Sequence, residues 1–371
     1  YVDDDRRAGW IRGAAGNALR VFDPSAANAP AGDDDQLDRA GVDDPALLIY
    51  TSGTTGAPKG ARLTHGNLLS SATAVEQAWG WTPDDLLLLT LPLFHVHGLG
   101  VGLNGALCAG SALELRPRFD LDDVLARCSA GSISMFFGVP TMYTRFASSG
   151  RASELSSLRL LVSGSAPLPP AVASEIAAAA GQIPLERYGM TETIMLTTNP
   201  LNGERRPGTV GFPFPGVSVR LAAAEPGSAE IQVRGPNVIS SYYNRPDADA
   251  EAFTGDGWFR TGDLGEYDDA GYLTIIGRSK ELIISGGFNV YPREVEERLL
   301  EFPGVSEVAV IGRPDAQWGE AVTAVVVGDV DPEALRSFAA SALAPYKVPK
   351  TVEFVDALPR NALGKIVRAD I

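Results

Sequence analysis

The sequence predicts an α/β protein in two parts: a large multilayer αβ domain that includes a β-rich subdomain, and a small C-terminal α+β domain. Three observations predict it. From Ala46 to Ala180, short apolar runs alternate with helix-patterned segments, which implies a mainly parallel sheet covered on both faces. After Gly208 the texture shifts to strands separated by Gly, Pro and Asp turns, as in hairpins. From about Arg278 a compact unit of two helices and two strands begins, with the boundary near Ser279 and Lys280.

Taken in order, residues 1 to 43 mix short apolar groups with Asp-rich and Ala/Pro/Gly-rich stretches and read as irregular structure. Ala46-Leu47-Leu48-Ile49-Tyr50 is a short apolar run suited to a buried strand. A Gly/Thr/Ser loop follows, and Thr64 is placed to cap a helix running to about Trp79. Strands are expected at Leu86 to Leu93, Ile133 to Phe137 and Leu158 to Val162, with helices at Leu121 to Cys128 and Ala171 to Ala180. The hairpin region supplies Val217 to Ala222, Ala229 to Arg234 and Tyr272 to Ile276. The last unit contains helices at Pro292 to Leu300 and Pro332 to Leu343, and strands at Val305 to Ile311 and Ala321 to Val327. No internal repeat or heptad pattern is present.

With 371 residues and 45% hydrophobic positions, the chain has room for more than one core. Its 31 basic and 46 acidic side chains give a formal charge of −15, which repels a phosphate backbone and argues against nucleic acid as a partner. Only Cys108 and Cys128 are present, too few for a disulfide framework or a cysteine metal cluster, and a reducing, cytoplasmic setting fits them. The start, Tyr1 to Arg7, lacks the basic-then-apolar order of a signal peptide. No apolar run approaches the ~20 residues of a membrane span.

The densest chemical signal is Tyr50-Thr51-Ser52-Gly53-Thr54-Thr55-Gly56-Ala57-Pro58-Lys59-Gly60, which gathers hydroxyls, glycines and a lysine between a strand and a helix. Glycines let backbone N–H groups converge on an anion, hydroxyls add donors, and Lys59 supplies a point charge. It is not a Walker A loop, because Lys59 stands between Pro58 and Gly60 rather than before Ser or Thr. Within Tyr188-Gly189-Met190-Thr191-Glu192, Tyr188 offers a flat ring for a base, Thr191 a hydroxyl, and Glu192 an oxygen ligand for Mg2+. Asp263 has the chemistry to accept both hydroxyls of a ribose. His95 and His97 make a poor metal pair, having no carboxylate or cysteine close in sequence.

Thr51 to Gly60 resembles the signature loop of the adenylate-forming superfamily, which includes acyl-CoA synthetases, luciferases and peptide-synthetase adenylation domains. Six further segments repeat the match in order: Leu91 to Gly98, Ser163-Gly164-Ser165-Ala166-Pro167-Leu168, Tyr188 to Glu192, Trp258 to Asp263, Gly277 to Glu281, and Pro359 to Lys365. The resemblance covers the chain from about residue 46 to its end.

It implies an acid:CoA ligase that uses ATP and Mg2+ to form an acyl-adenylate and then passes the acyl group to coenzyme A. Under it, Thr51, Ser52, Gly53, Thr54, Thr55, Gly56 and Lys59 hold phosphates. Ser163, Gly164, Ser165, Ala166, Tyr188, Gly189 and Met190 line the nucleotide, Glu192 holds magnesium, and Asp263 and Arg278 take the ribose. Lys365 bridges the substrate carboxylate and the α-phosphate, where a positive charge lowers the barrier to joining two anions. Gly286, Gly287 and Phe288 lie along the pantetheine route. The small domain is mobile and rotates between half-reactions about Lys280; Glu281 here replaces the Asp of many relatives. The resemblance also implies an N-terminally incomplete large domain, residues 1–278, since only about 45 residues precede the phosphate loop; residues 279–371 form the small domain.

Leu91 to Leu99, Phe137 to Tyr143, Glu186 to Thr193 and Gly203 to Gly211 are similar to malonyl-CoA synthetases. A dicarboxylate needs a second cation, for which Arg205 and Arg206 are the candidates. His95, His97 and Phe94 are candidates for the acyl or pantetheine entrance. Leu196 stands where the malonate-using pattern usually shows Asn, which makes a monocarboxylate the alternative acid. A carrier-loading adenylation enzyme and a non-catalytic remnant are the other readings.

Overall fold

The computed structural model describes residues 40–51, 58–224, 229–360 and 366–371. The irregular reading of residues 1 to 43 falls almost entirely outside them.

The first described elements form a hairpin: β1 (Pro45–Thr51) pairs antiparallel with β2 (Lys59–Thr64), with Thr51 opposite Lys59. This corrects the expected buried strand running through a loop directly into a helix. Leu48 and Tyr50 are exposed, because alternate residues of a two-stranded ribbon have only one face to bury. Helix α1 (His65–Trp79) starts at the expected cap, where Thr64 and Asn67 exchange side-chain and backbone hydrogen bonds. It ends at Gly80 in the left-handed conformation, φ 54°.

A seven-stranded sheet follows, in the order β4-β3-β5-β6-β7-β8-β9. Its members are β3 (Leu86–Leu89), β4 (Ala112–Leu115), β5 (Met135–Gly138), β6 (Leu160–Ser163), β7 (Leu185–Tyr188), β8 (Thr197–Thr198) and β9 (Phe212–Pro213). The five strands from β4 to β7 run parallel, and the last two are antiparallel. Strand β3 stops at Leu89 rather than Leu93. Pro92 has no N–H to give a ladder, and the chain turns there into a π-helical segment, His97–Leu103, that leads into α2 (Asn104–Ala109).

The period of two in these strands divides the core. Leu87, Leu89, Met135, Phe137, Leu160, Val162 and Leu185 pack on one face with Val75 and Trp79 of α1. Leu88, Phe136 and Leu161 pack on the other with α3 (Leu121–Ser129), α4 (Pro140–Ser148) and α5 (Pro170–Ala180). Each fully buried side chain of this kind contributes about 1.5–3 kcal/mol. Asp120 caps α3, and proline opens α4 and α5, where its missing N–H costs no helical bond.

The β-rich part is a four-stranded antiparallel sheet of β10 (Ser218–Ala223), β11 (Ala229–Arg234), β12 (Phe259–Tyr267) and β13 (Leu273–Arg278), with α6 (Pro246–Ala252) inserted. A 3-10 turn, Ser279–Glu281, leads into the small domain. There β14 (Ile283–Ser285), β15 (Phe288–Val290), β16 (Val305–Asp315), β17 (Gly319–Gly328) and β18 (Thr351–Phe354) form one sheet. Helices α7 (Pro292–Leu300) and α8 (Pro332–Ala340) share a core with it that includes Val295, Leu299, Val322, Val326 and Leu335.

Candidate functional site

In parallel α/β sheets ligands bind beyond the carboxyl ends of the strands, where the chain is freed from the ladder. Here β5 ends at Gly138, β6 at Ser163 in register with it, and β7 at Tyr188. Ser163-Gly164-Ser165-Ala166 and Tyr188-Gly189-Met190-Thr191-Glu192 therefore leave the sheet side by side. Gly189 is required by close approach: a Cβ there would lie 2.1 Å from the carbonyl oxygen of Ile194. The backbone N–H of Ile194 returns to Met190 at 2.8 Å, closing the turn that buries Glu192.

Asp263 reaches this edge from β12. Its Oδ2 accepts the Tyr188 hydroxyl at 2.5 Å, and its Oδ1 pairs with Arg278 Nε at 3.0 Å. Arg278 lies directly opposite on β13, and the Asp263 carboxylate holds its guanidinium above the ordinary range. Burial and the same carboxylate push the Tyr188 phenol up, so it stays a donor. The result is a buried carboxylate with fixed orientation, suited to a vicinal diol.

Glu192 is buried, and burial raises its carboxyl above the usual range. Its Oε1 accepts the Tyr242 hydroxyl at 2.9 Å, while Lys59 Nζ lies 5.4 Å above the Tyr242 ring centroid. Thr51 and Lys59 face each other at the hairpin base, with the Thr51 hydroxyl donating to the Lys59 carbonyl at 3.3 Å. Ser52, Gly53, Thr54, Thr55 and Gly56 lie outside the described residues, as does Lys365. Among the described residues no group of three or more His, Cys, Asp or Glu side chains forms a metal cage. A lone carboxylate fits Mg2+, which keeps waters and phosphate oxygens as its other ligands.

Behind the Ser163–Ala166 segment is a group the sequence reading missed. Arg187, on β7, is fully enclosed, and burial without a compensating anion brings its guanidinium down to about 9. Its Nε and Nη2 have no hydrogen-bond partner. Gly164 lies against it, so that a Cβ there would be 2.5 Å from Arg187 Nε. His97 Nδ1 is 3.2 Å from Ser165 Oγ, and Ser165 holds that position at φ 72°, a conformation costing on the order of 1–3 kcal/mol for a non-glycine residue. His97 Nε2 and Ser163 Oγ are also buried without partners. Burial and the neighbouring Arg187 charge hold His97 neutral. Four unpaired polar atoms in one buried cluster require an explanation, since such groups each cost about 1–3 kcal/mol when unsatisfied.

Arg205 and Arg206, the expected candidates for a second carboxylate, are paired elsewhere. Arg205 donates to the carbonyls of Ile183, Pro200 and Leu201, at the opposite end of β7 from Tyr188. Arg206 pairs with Asp268 at 2.5 Å and Glu204 at 2.9 Å and lies over the Tyr272 ring. Their charges are used in closing the 199–209 loop. Leu196 is wholly within the core. The His95 ring lies tilted against the exposed Phe94 ring, with centroids 4.3 Å apart.

Gly286 and Gly287 form the β14–β15 turn at φ 61° and 82°, beside the exposed Phe288, which stacks on Tyr346. Lys280 is in the exposed 3-10 turn between the two domains.

Comparison with known proteins agrees with this geometry. A family model described as AMP-binding enzyme matches residues 10–243, and one described as AMP-binding enzyme C-terminal domain matches residues 294–365. A malonate–CoA ligase of Arabidopsis thaliana is 39% identical, across 91% of this chain and 62% of that protein. A feruloyl-CoA synthase of an Amycolatopsis species is 42% identical, across 96% of this chain and 75% of its own length. The crystal structure of ATP-bound MatB from Rhodopseudomonas palustris superposes with a TM-score of 0.85 at 45% identity, covering 89% of this chain and 68% of that one. The chain thus spans less than two thirds of the plant ligase.

Proposed function

Because the chain belongs to the AMP-binding enzyme family, we propose that it carries the machinery of an AMP-forming acid:CoA ligase whose acid is malonate or methylmalonate. The observation that carries the acid assignment is Arg187, a buried cation with two free donors facing a neutral histidine and serine hydroxyls. A buried guanidinium without an anion is costly to the resting protein, and binding an anion relieves that cost. A second carboxylate of the substrate is that anion, gripped bidentately while the first is left for reaction.

In the first half-reaction one carboxylate oxygen attacks the α-phosphorus of ATP, the bond to the β-phosphate oxygen breaks, and pyrophosphate leaves. Asp263, with Tyr188 and Arg278 holding it, accepts the ribose hydroxyls. Lys59 faces the phosphates, and Lys365 offsets the repulsion between the two joining anions. Glu192 would hold Mg2+, which would supply neutralisation of phosphate charge. In the second half-reaction the CoA thiol releases its proton to solvent, its sulfur adds to the acyl carbonyl, and the bond from that carbon to the phosphate oxygen breaks to release AMP. The turn at Gly286 and Gly287 lines the pantetheine arm, the small domain comprises residues 279–371, and Lys280 is its hinge. Two cysteines without disulfide partners support a reducing, cytoplasmic compartment.

The test is pyrophosphate release with Mg-ATP and CoA across malonate, methylmalonate, acetate, octanoate and palmitate, with Lys365→Ala as the control. Dominant malonate-class activity that disappears in Lys365→Ala supports the reading. Activity on monoacids alone removes the malonate assignment, and silence with every acid removes the ligase.

A further inference from the structure

The Tyr242 hydroxyl lies outside every motif named above, yet it donates a hydrogen bond to the Glu192 side chain. Tyr242 belongs to a strap, residues 236–243, fastened at both ends to phosphate-handling segments. At one end Asn237 Nδ2 donates to the Thr193 and Met195 carbonyls at 2.7 and 2.6 Å, and the Ile239 N–H donates to the Glu192 carbonyl at 2.9 Å. At the other, Tyr242 bridges Ala61 of β2, and the Tyr243 N–H donates to the Gly60 carbonyl at 2.8 Å, one residue from Lys59. From α1, Asn67 Nδ2 donates to the Pro236 and Val238 carbonyls at 2.7 and 3.1 Å.

The phenol is thus fixed before any ligand arrives. Its hydroxyl occupies Oε1 of Glu192, and its ring supports the Lys59 ammonium. Mg2+ demands near-octahedral geometry and dehydrates reluctantly, so a carboxylate that donates one oxygen must be held in one rotamer. Hydrogen-bond partners of ligating carboxylates supply that restraint, and losing one typically costs about 10–100-fold in metal affinity.

We infer that Tyr242 is a positioning residue for the metal–nucleotide complex: its hydroxyl fixes Glu192 so that Oε2 faces the metal, and its ring fixes Lys59 against the same phosphates. The inference rests on the ligase reading and extends it to a residue outside the sequence motifs.

The experiment compares the wild-type chain, Tyr242→Phe and Tyr242→Leu. Mn2+ binding in the presence of saturating ATP is followed by electron paramagnetic resonance, ATP binding in EDTA by calorimetry, and melting temperature by circular dichroism. Phenylalanine keeps the ring under Lys59 and removes only the hydroxyl. The expected result is Mn2+ held about tenfold more weakly in the ATP complex, with metal-free ATP affinity unchanged; leucine additionally weakens metal-free ATP. A Tyr242→Phe chain that melts earlier but binds Mn2+ as the wild type does overturns the inference, because the tyrosine is then merely structural. Equal loss of metal-free and metal-bound ATP affinity in Tyr242→Phe overturns it too. A wild-type chain with no metal-dependent nucleotide binding removes the ligase reading and the inference together.

Discussion

Replacing Arg187 by methionine should stabilise the resting protein while disabling its use of a dicarboxylate. The depression of Arg187 to about 9 corresponds to roughly 5 kcal/mol against the charged form at neutral pH. Methionine fills much of the volume and carries no charge. Allowing about 1–3 kcal/mol for imperfect repacking, a net gain of a few kcal/mol remains. At about 2–4 °C per kcal/mol for a chain of this class, the melting temperature should rise by several degrees. Removing one partner of a buried ion pair costs about 2–5 kcal/mol in the complex, so kcat/KM for malonate should fall roughly 30-fold to several thousand-fold. Acetate has no second carboxylate, and its kcat/KM should hold or rise. Coupled pyrophosphate release measures both acids, and calorimetry the melting. The reasoning fails if malonate and acetate decline in parallel, or if malonate turnover survives the substitution.

Gly164→Ala puts a methyl group 2.5 Å from Arg187 Nε, and the enclosed guanidinium has little room to retreat; KM for malonate should rise about tenfold and the overpacking, about 1–3 kcal/mol, should lower the melting temperature by several degrees. Glu186, whose Oε1 accepts from the Leu168 N–H, is raised by burial to about 7. Between its unfolded range near 4.5 and 7 the folded chain holds the extra proton, so stability falls as pH rises through that window by about 3 kcal/mol from this group. Denaturant titrations of Glu186→Gln at pH 5 and pH 7.5 should show that part of the slope gone. Asp263→Asn removes the charge opposite Arg278 and one acceptor for the ribose, which should weaken ATP by about 10–100-fold in calorimetry without shifting the preference among acids.

The layered architecture was legible because its causes are local. Apolar runs at Ile133–Phe137 and Leu158–Val162 become buried parallel strands, and Thr64 caps its helix through its own side chain. What escaped was set by distant partners. Leu185-Glu186-Arg187-Tyr188 carries two charges in a row and reads as anything but a central strand, yet all four residues are buried. The neighbours that accommodate them, Leu168, Gly164 and Asp263, come from other strands and loops. Arg205 and Arg206 were natural candidates for a second carboxylate because loop arginines are usually free. Here local carbonyls and Asp268 claim them. Tyr242 had no signal at all, since its role exists only once β2 and the Glu192 turn are brought together.

The small sheet has a bearing on how such a chain can be altered. Strand β17 pairs with β14, whose last residue precedes Gly286, and with β18, which leads toward the segment carrying Lys365; Arg360 and Ile366 bridge across that segment's base. The Gly286 turn and the stem that leads toward residues 361–365 therefore both hang from one beam. Under the proposed ligase reading, loosening the beam, as by truncating Val322 or Val326 in its core, should disturb both half-reactions together. Under the proposed ligase reading, a change at the Lys280 turn should instead shift only the balance between the two half-reactions, which makes core and turn separate engineering handles.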